Sequence, residues 1–334
     1  MNILIAGGTG LLGSAAAKLM LADGHVVHAM ALPPVPKNLN LPSDMILHLV
    51  DFNALTDDAC DELMKGMDAF VFAAGVDERI EFAPPVENIY EAYNIKPLIK
   101  LLTSAKKMGV KVAVILGSYF SYFAKIWPHL NLSQHHPYIR TRLRQEEVAF
   151  SFDDEHFRVN VLELPYIFGP QEGRRPVWST FIDRFEKPKI IFFPKGGTTM
   201  MTTHQVGVAI YHAILFGKHQ TAYPLGQINM TWKQLIPIVL EGMGMKKRVI
   251  TIPNWISQLA IQHMKQAYDK KGIEPGLNPR YFAKLMTSNC FIDQELSRDL
   301  KIPEDDIHAS ILASIRYAYR IKQEQLPVLD MKVK

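Results

Sequence analysis

A chain of 334 residues, 48% hydrophobic and 21% charged, has globular composition and length for a large core, which excludes a disordered or low-complexity protein. A dispersed net charge of +4 excludes a nucleic-acid-binding footprint, and two cysteines, Cys60 and Cys290, exclude a disulfide scaffold or a cysteine-based metal site. No apolar run reaches the roughly 18 residues of a membrane span, and strand character begins at Asn2, so neither a membrane partner nor a signal peptide is expected and a cytoplasmic location is.

Asn2 to Ala6 is a short apolar run with strand character. Gly7, Gly10 and Gly13 follow at three-residue spacing within Gly7-Gly8-Thr9-Gly10-Leu11-Leu12-Gly13, and Ser14 to Asp23 reads as a helix. Strand, glycine turn and helix in that order make a βα unit whose helix amides face a pyrophosphate. The first glycine permits the tight turn, the second lets backbone approach the phosphates, and the third lets the helix pack on the strand. A dinucleotide cofactor is therefore expected. Strand 2 is expected at His25 to Met30, and its end reads Ala29-Met30-Ala31-Leu32-Pro33-Pro34, without the carboxylate that accepts the ribose hydroxyls of NAD. His28 and Lys37 are the basic candidates near a 2′-phosphate, and the cofactor assignment leans to NADP over NAD.

Further strands are expected at Met45 to Val50, running into Asp51-Phe52, at Asp68 to Ala74, running into Ala73-Ala74-Gly75, and at Lys111 to Leu116. A polar loop over 76–88 precedes a helix from about Glu87 to Met108 that carries Asn94. Alternating strands and helices imply an α/β chain with a doubly wound parallel sheet. Gly117-Ser118 follows the fifth strand, Tyr138 and Arg142 open the next helix, and Phe157 to Pro170 reads as a sixth strand ending in Phe168-Gly169-Pro170.

The GxxGxxG spacing, with these later segments, resembles the extended short-chain dehydrogenase/reductase family over about residues 1–320. The C-terminal third is similar to its hydroxysteroid dehydrogenase branch. The resemblance implies a Rossmann domain over 1–165 with a return segment at about 200–230, and a smaller, mostly helical substrate lobe over 166–199 and 231–325. It implies that Gly7, Thr9, Gly10, Leu11, Leu12 and Gly13 hold the cofactor, with Asp51 and Phe52 at the adenine and Ala73, Ala74 and Gly75 beneath it. Asn94 would support the active-site backbone, and Pro165 and Ile167 would lie near the nicotinamide amide. On local grounds Asp51 reads equally well as the cap of a helix starting near Thr56.

The family's active site pairs a Ser or Thr after strand 5 with Tyr-x-x-x-Lys on the next helix. Ser118 and Tyr138 match, whereas Arg142 stands where the family has lysine. A tyrosine titrates near about 10, so a cation one helical turn away is needed to stabilise the phenolate for proton exchange near neutrality. Arginine keeps the charge, but its planar head is wider, so the exchange is not conservative. Tyr119 and Phe120 occupy the positions of the family's dehydratase Asp-Glu pair, so dehydration is not expected. Glu163 stands where the family commonly has arginine, and His204-Gln205 replaces its Val-Asp-Asp-Val turn.

Arg174 and Arg175 are candidates for an anionic substrate group, or are solvated loop charges. Met264, Tyr268, Tyr281, Phe282, Leu285 and Met286 either line an apolar pocket or are plain core. Ile307 to Tyr319 closes the chain as an amphipathic helix, and the tail from about Gln323 is expected to fray. The combined expectation is an NAD(P)-dependent oxidoreductase or epimerase acting on a small-molecule alcohol, ketone or sugar carbon, possible as a homodimer through the helices of 87–108 and 138–150. The alternative is a protein of the same fold that binds the nucleotide without hydride transfer.

Overall fold

The computed structural model describes residues 1–329; the side chains of Lys37 and of 258–263 lie outside that description. The chain forms β1 (Asn2–Ala6), β2 (Val26–Ala31), β3 (Ile46–Leu49), β4 (Ala69–Phe72), β5 (Val112–Leu116), β6 (Arg158–Glu163) and β7 (Thr221–Pro224) of one sheet. Its order is β7-β6-β5-β4-β1-β2-β3, and every neighbouring pair is parallel. Ile3 and Ile5 face one core layer with Ala16, Met20 and Ile210, while Leu4 and Ala6 face the other with Phe70, Phe72 and Leu102. Burial on both faces explains why these strands read as continuous apolar runs. The order reverses between β1 and β4, so their carboxyl ends open the crevice where ligands of such sheets bind.

Three segments depart from the sequence-based expectation. The helix of 87–108 is broken into Glu87–Tyr90, a π-helical turn Glu91–Ile95 and the helix Lys96–Lys107. The segment Phe157 to Pro170 splits, because Pro165 has no N–H to continue the ladder. β6 stays in the central sheet and Tyr166–Phe168 pairs with Gly197–Thr202 in the lobe. The expected strand from Ala222 to Trp232 likewise divides into β7 and Ile228–Thr231. Gly226 lies at the break, where a Cβ would come within 2.6 Å of the Thr199 hydroxyl.

The lobe therefore holds a small sheet beside its helices, with Gly197–Thr202 between Ile228–Thr231 and Asn289–Cys290. The return turn also has a physical reason for its unusual residues. Thr202 and Gln205 form a reciprocal capping box at the start of the helix Thr203–Phe216. His204 remains at the surface, 3.5 Å from Asp305. The last helix runs Ile307–Glu324, and Leu329 exchanges backbone hydrogen bonds with Gly173 and Arg175; the rest of the tail expected to fray, 330–334, lies outside the described residues.

Candidate active site

The glycine turn joins β1 to the helix Leu11–Ala22. Gly7 has φ +84°, and a Cβ there would come within 2.7 Å of the Ala73 carbonyl oxygen. A Cβ on Gly13 would come within 2.4 Å of the Gly7 oxygen, so the helix can begin this close to the strand only with glycine. Gly10 is the helix N-cap and carries no side chain into the space beyond the turn. The first amides of the helix, from Leu11 onward, have no intrahelical partner and offer themselves to an anion. With the Arg174 Nε–H buried and unpartnered beside the turn, these residues fit a dinucleotide phosphate group.

Within β2, His28 Nδ1 lies 2.9 Å from His48 Nε2. Burial lowers the pKa of both, and His48 lowers that of His28 further, so His28 is not a ready cation for a 2′-phosphate. Lys37, the other basic candidate, has its side chain outside the described residues. Asp51 is exposed past β3 and its carboxylate accepts from the Asn53 N–H at 3.0 Å; the helix Asp57–Met64 is capped by Thr56 instead. Phe52 packs edge-on to Phe72.

Ala73, Ala74 and Gly75 leave β4 directly under the glycine turn. Gly75 has φ +117°, with no room for a Cβ against Asn94. Asn94 is fully buried in the π-helical turn; its Oδ1 accepts from the Val76 N–H at 2.7 Å and its Nδ2 donates to the Val76 oxygen at 3.0 Å. The extra residue of a π turn re-aims a side chain at a functional site, and here Asn94 braces the backbone next to the cofactor crevice.

Ser118 caps the helix Tyr119–Ile126, its hydroxyl accepting from the Phe120 N–H at 3.4 Å, and it favours the phenolate form of Tyr138 on the helix Pro137–Phe150. Both residues are buried. Arg142 has its Cζ 5.1 Å from the Tyr138 ring centre, as i, i+4 spacing requires. Its guanidinium is occupied elsewhere: Nη2 donates to the Val76 oxygen (3.1 Å), and Nη1 to the Leu116 oxygen (3.3 Å) and Gln145 Oε1 (2.6 Å). The planar fork thus ties the ends of β4 and β5 together, which a lysine ammonium cannot do. Burial pushes the Tyr138 phenol up to about 12, outweighing the downward pull of Arg142 and Ser118. The cation expected to bring the phenol toward neutrality does not achieve this alone.

Glu78 was not singled out by sequence, because it stands in the polar loop of 76–88 without a spacing signal. Burial, then the neighbouring Asp77, raises its carboxyl to about 7, and it adds to the upward shift of Tyr138. Around Tyr138 the wall is aromatic, with Tyr90 at 5.5 Å and Phe120 at 6.4 Å between ring centres. Pro165 is buried, and the Ile167 oxygen accepts from the Trp178 indole. Arg174 lies on the glycine turn, where its Nη2 donates to the Thr9 oxygen, and Arg175 is exposed. The six lobe residues proposed for an apolar pocket do not converge. Leu285 and Phe282 reach the Tyr138 cluster and Met286 packs in the lobe core. Tyr281 stacks on His135, Tyr268 bonds Glu81, and Met264 is exposed.

Among the described residues, no helix is long and apolar enough to cross a membrane. No curated protein sequence matches the chain. Solved structures with a similar fold include gox2253, with 16% identity, a TM-score of 0.74 and coverage of 98% of this chain and 99% of that one. The UDP-glucose 4-epimerase of Thermotoga maritima has 14% identity, a TM-score of 0.67 and coverage of 97% and 100%. The UDP-glucuronic acid 4-epimerase of Bacillus cereus, solved with NAD, has 14% identity, a TM-score of 0.65 and coverage of 97% and 99%. The model of the NAD dependent epimerase/dehydratase family matches residues 3–205, more than half of the chain. The glycine turn, the Asn94 brace and the Ser118–Tyr138 pair thus lie in a chain that belongs to the NAD dependent epimerase/dehydratase family of enzymes.

Proposed function

We propose that this enzyme is an NAD(P)-dependent oxidoreductase or epimerase that acts on a secondary alcohol or ketone carbon, with Tyr138 as the acid/base. The observation that carries this reading is the burial of Ser118, just past the carboxyl end of β5, and of Tyr138, with the Arg142 guanidinium carbon 5.1 Å from the Tyr138 ring centre. The bound nicotinamide would supply or accept the hydride. Tyr138 Oη exchanges the proton of the reacting oxygen, and Ser118 Oγ donates to that oxygen as charge develops on it. Arg142 acts electrostatically on the phenolate, with its guanidinium carbon 5.1 Å from the Tyr138 ring centre. With Tyr119 and Phe120 after Ser118, elimination has no second carboxyl group there, and dehydration is not part of the proposal.

The aromatic wall of Tyr90 and Phe120 favours an apolar alcohol over a nucleotide sugar. NADP remains the favoured cofactor because the end of β2 offers no carboxylate to a ribose 2′-hydroxyl. A second reading, nucleotide binding without hydride transfer, draws on the engagement of both Arg142 Nη groups by protein oxygens. Tyr138→Phe separates the two. Turnover of any alcohol oxidised by the wild type should vanish while cofactor affinity stays within a few-fold, and unchanged turnover would sink the assignment.

A further inference from the structure

We infer that Arg174 is a ligand of the cofactor's pyrophosphate, delivered by the substrate lobe onto the glycine turn. The inference rests on the cofactor reading above and adds to it a contact from outside the Rossmann domain. The loop after Phe168-Gly169-Pro170 lies across the turn, with Gln171 Nε2 donating to the Thr9 oxygen (3.1 Å) and Ser14 Oγ (3.2 Å), and Arg174 Nη2 to the same Thr9 oxygen (3.3 Å). The loop is anchored on three other sides. The Gly173 N–H donates to the Tyr317 hydroxyl at 2.8 Å, Leu329 pairs with Gly173 and Arg175, and Asn38 from the segment after β2 fills the space where a Gly173 side chain would stand.

The segment so fixed runs from the helix N-terminus that faces a pyrophosphate to the strand-2 side that faces the adenosine ribose. Its guanidinium is incompletely satisfied, since Arg174 Nε is buried without a partner and no carboxylate pairs with Arg174 among the described residues. Burial lowers its pKa in consequence. A half-buried guanidinium whose Nε is sealed from water and whose Nη2 rests on one carbonyl oxygen is costly. A diphosphate beside Thr9 would complete its bonding in the bidentate geometry that arginine favours.

The test is a titration of wild type, Arg174→Met and Arg174→Gln with NADH, NADPH and ADP-ribose. Binding is read by nicotinamide fluorescence and calorimetry, with adenosine as a ligand lacking phosphate. Methionine keeps the apolar stem and removes only the charge, and glutamine serves where the methionine variant does not fold. A lost charge-assisted contact should weaken all three pyrophosphate-bearing ligands by about 10- to 100-fold and leave adenosine unchanged. Unchanged affinity in a folded variant would overturn the inference, as would a loss confined to NADPH, which would place Arg174 at a 2′-phosphate. Wild-type protein that binds none of the three would instead overturn the cofactor reading beneath it.

Discussion

Asn94→Ala isolates the brace between the π-helical turn and the cofactor crevice. The substitution removes two buried hydrogen bonds to Val76, at 2.7 and 3.0 Å. The Val76 oxygen keeps its bond from Arg142 Nη2, but the Val76 N–H loses the Asn94 acceptor and lies where water does not reach. An orphaned buried donor costs about 1–3 kcal/mol and each lost bond about 1 kcal/mol, so the variant should be less stable by about 2–4 kcal/mol. In a chain of this size that is a fall in melting temperature of roughly 3–6 °C. The same loss frees the Gly75 turn under the glycine loop, so cofactor affinity should weaken together with stability. Urea unfolding and dinucleotide titration of one preparation measure both. A loss below about 0.5 kcal/mol, the range of an uninvolved surface position, with unchanged affinity would refute the brace.

Two further outcomes follow from the charged groups around the site. Lys125 Nζ lies 2.8 Å from Glu146 Oε1 and 3.0 Å from Glu163 Oε1, so two buried carboxyl groups share one ammonium. Burial chiefly, with Glu146, raises Glu163 to about 8 against the pull of Lys125. A carboxyl whose folded value is raised contributes stability that is complete below its ordinary value and lost as pH climbs through the folded one. Stability should therefore fall between about pH 5 and pH 9, and Glu163→Gln should flatten that fall; an equal loss of unfolding free energy between the two pH values in wild type and variant, read by urea unfolding, would refute it. Arg142→Lys restores the family's cation but cannot hold both the Val76 and Leu116 oxygens. It should lower stability by about 1–3 kcal/mol and move the rising limb of the pH–rate profile to lower pH, while an unmoved limb would show that the cation at 142 does not act on Tyr138.

Residues whose role is set by local spacing were legible in the sequence. Gly7, Gly10 and Gly13 announce a turn because three residues separate them, and the i, i+4 relation of Tyr138 and Arg142 survives in the helix that carries them. What spacing could not convey was reach. Arg142 reads as a cation beside a phenol, yet its fork is long enough to find the carbonyl oxygens at the ends of β4 and β5, two strands whose adjacency is a property of the sheet. Arg174 illustrates the same limit: as part of a basic loop it pointed toward a substrate anion, and only the return of the lobe onto the first βα unit brings it to Thr9. Glu78 carried no pattern at all, because its shift comes from burial among residues distant in the chain. The three residues share a cause. Their neighbours are supplied by strand order and by the lobe, so a long polar side chain in this fold is defined by the element it reaches as much as by the one that bears it.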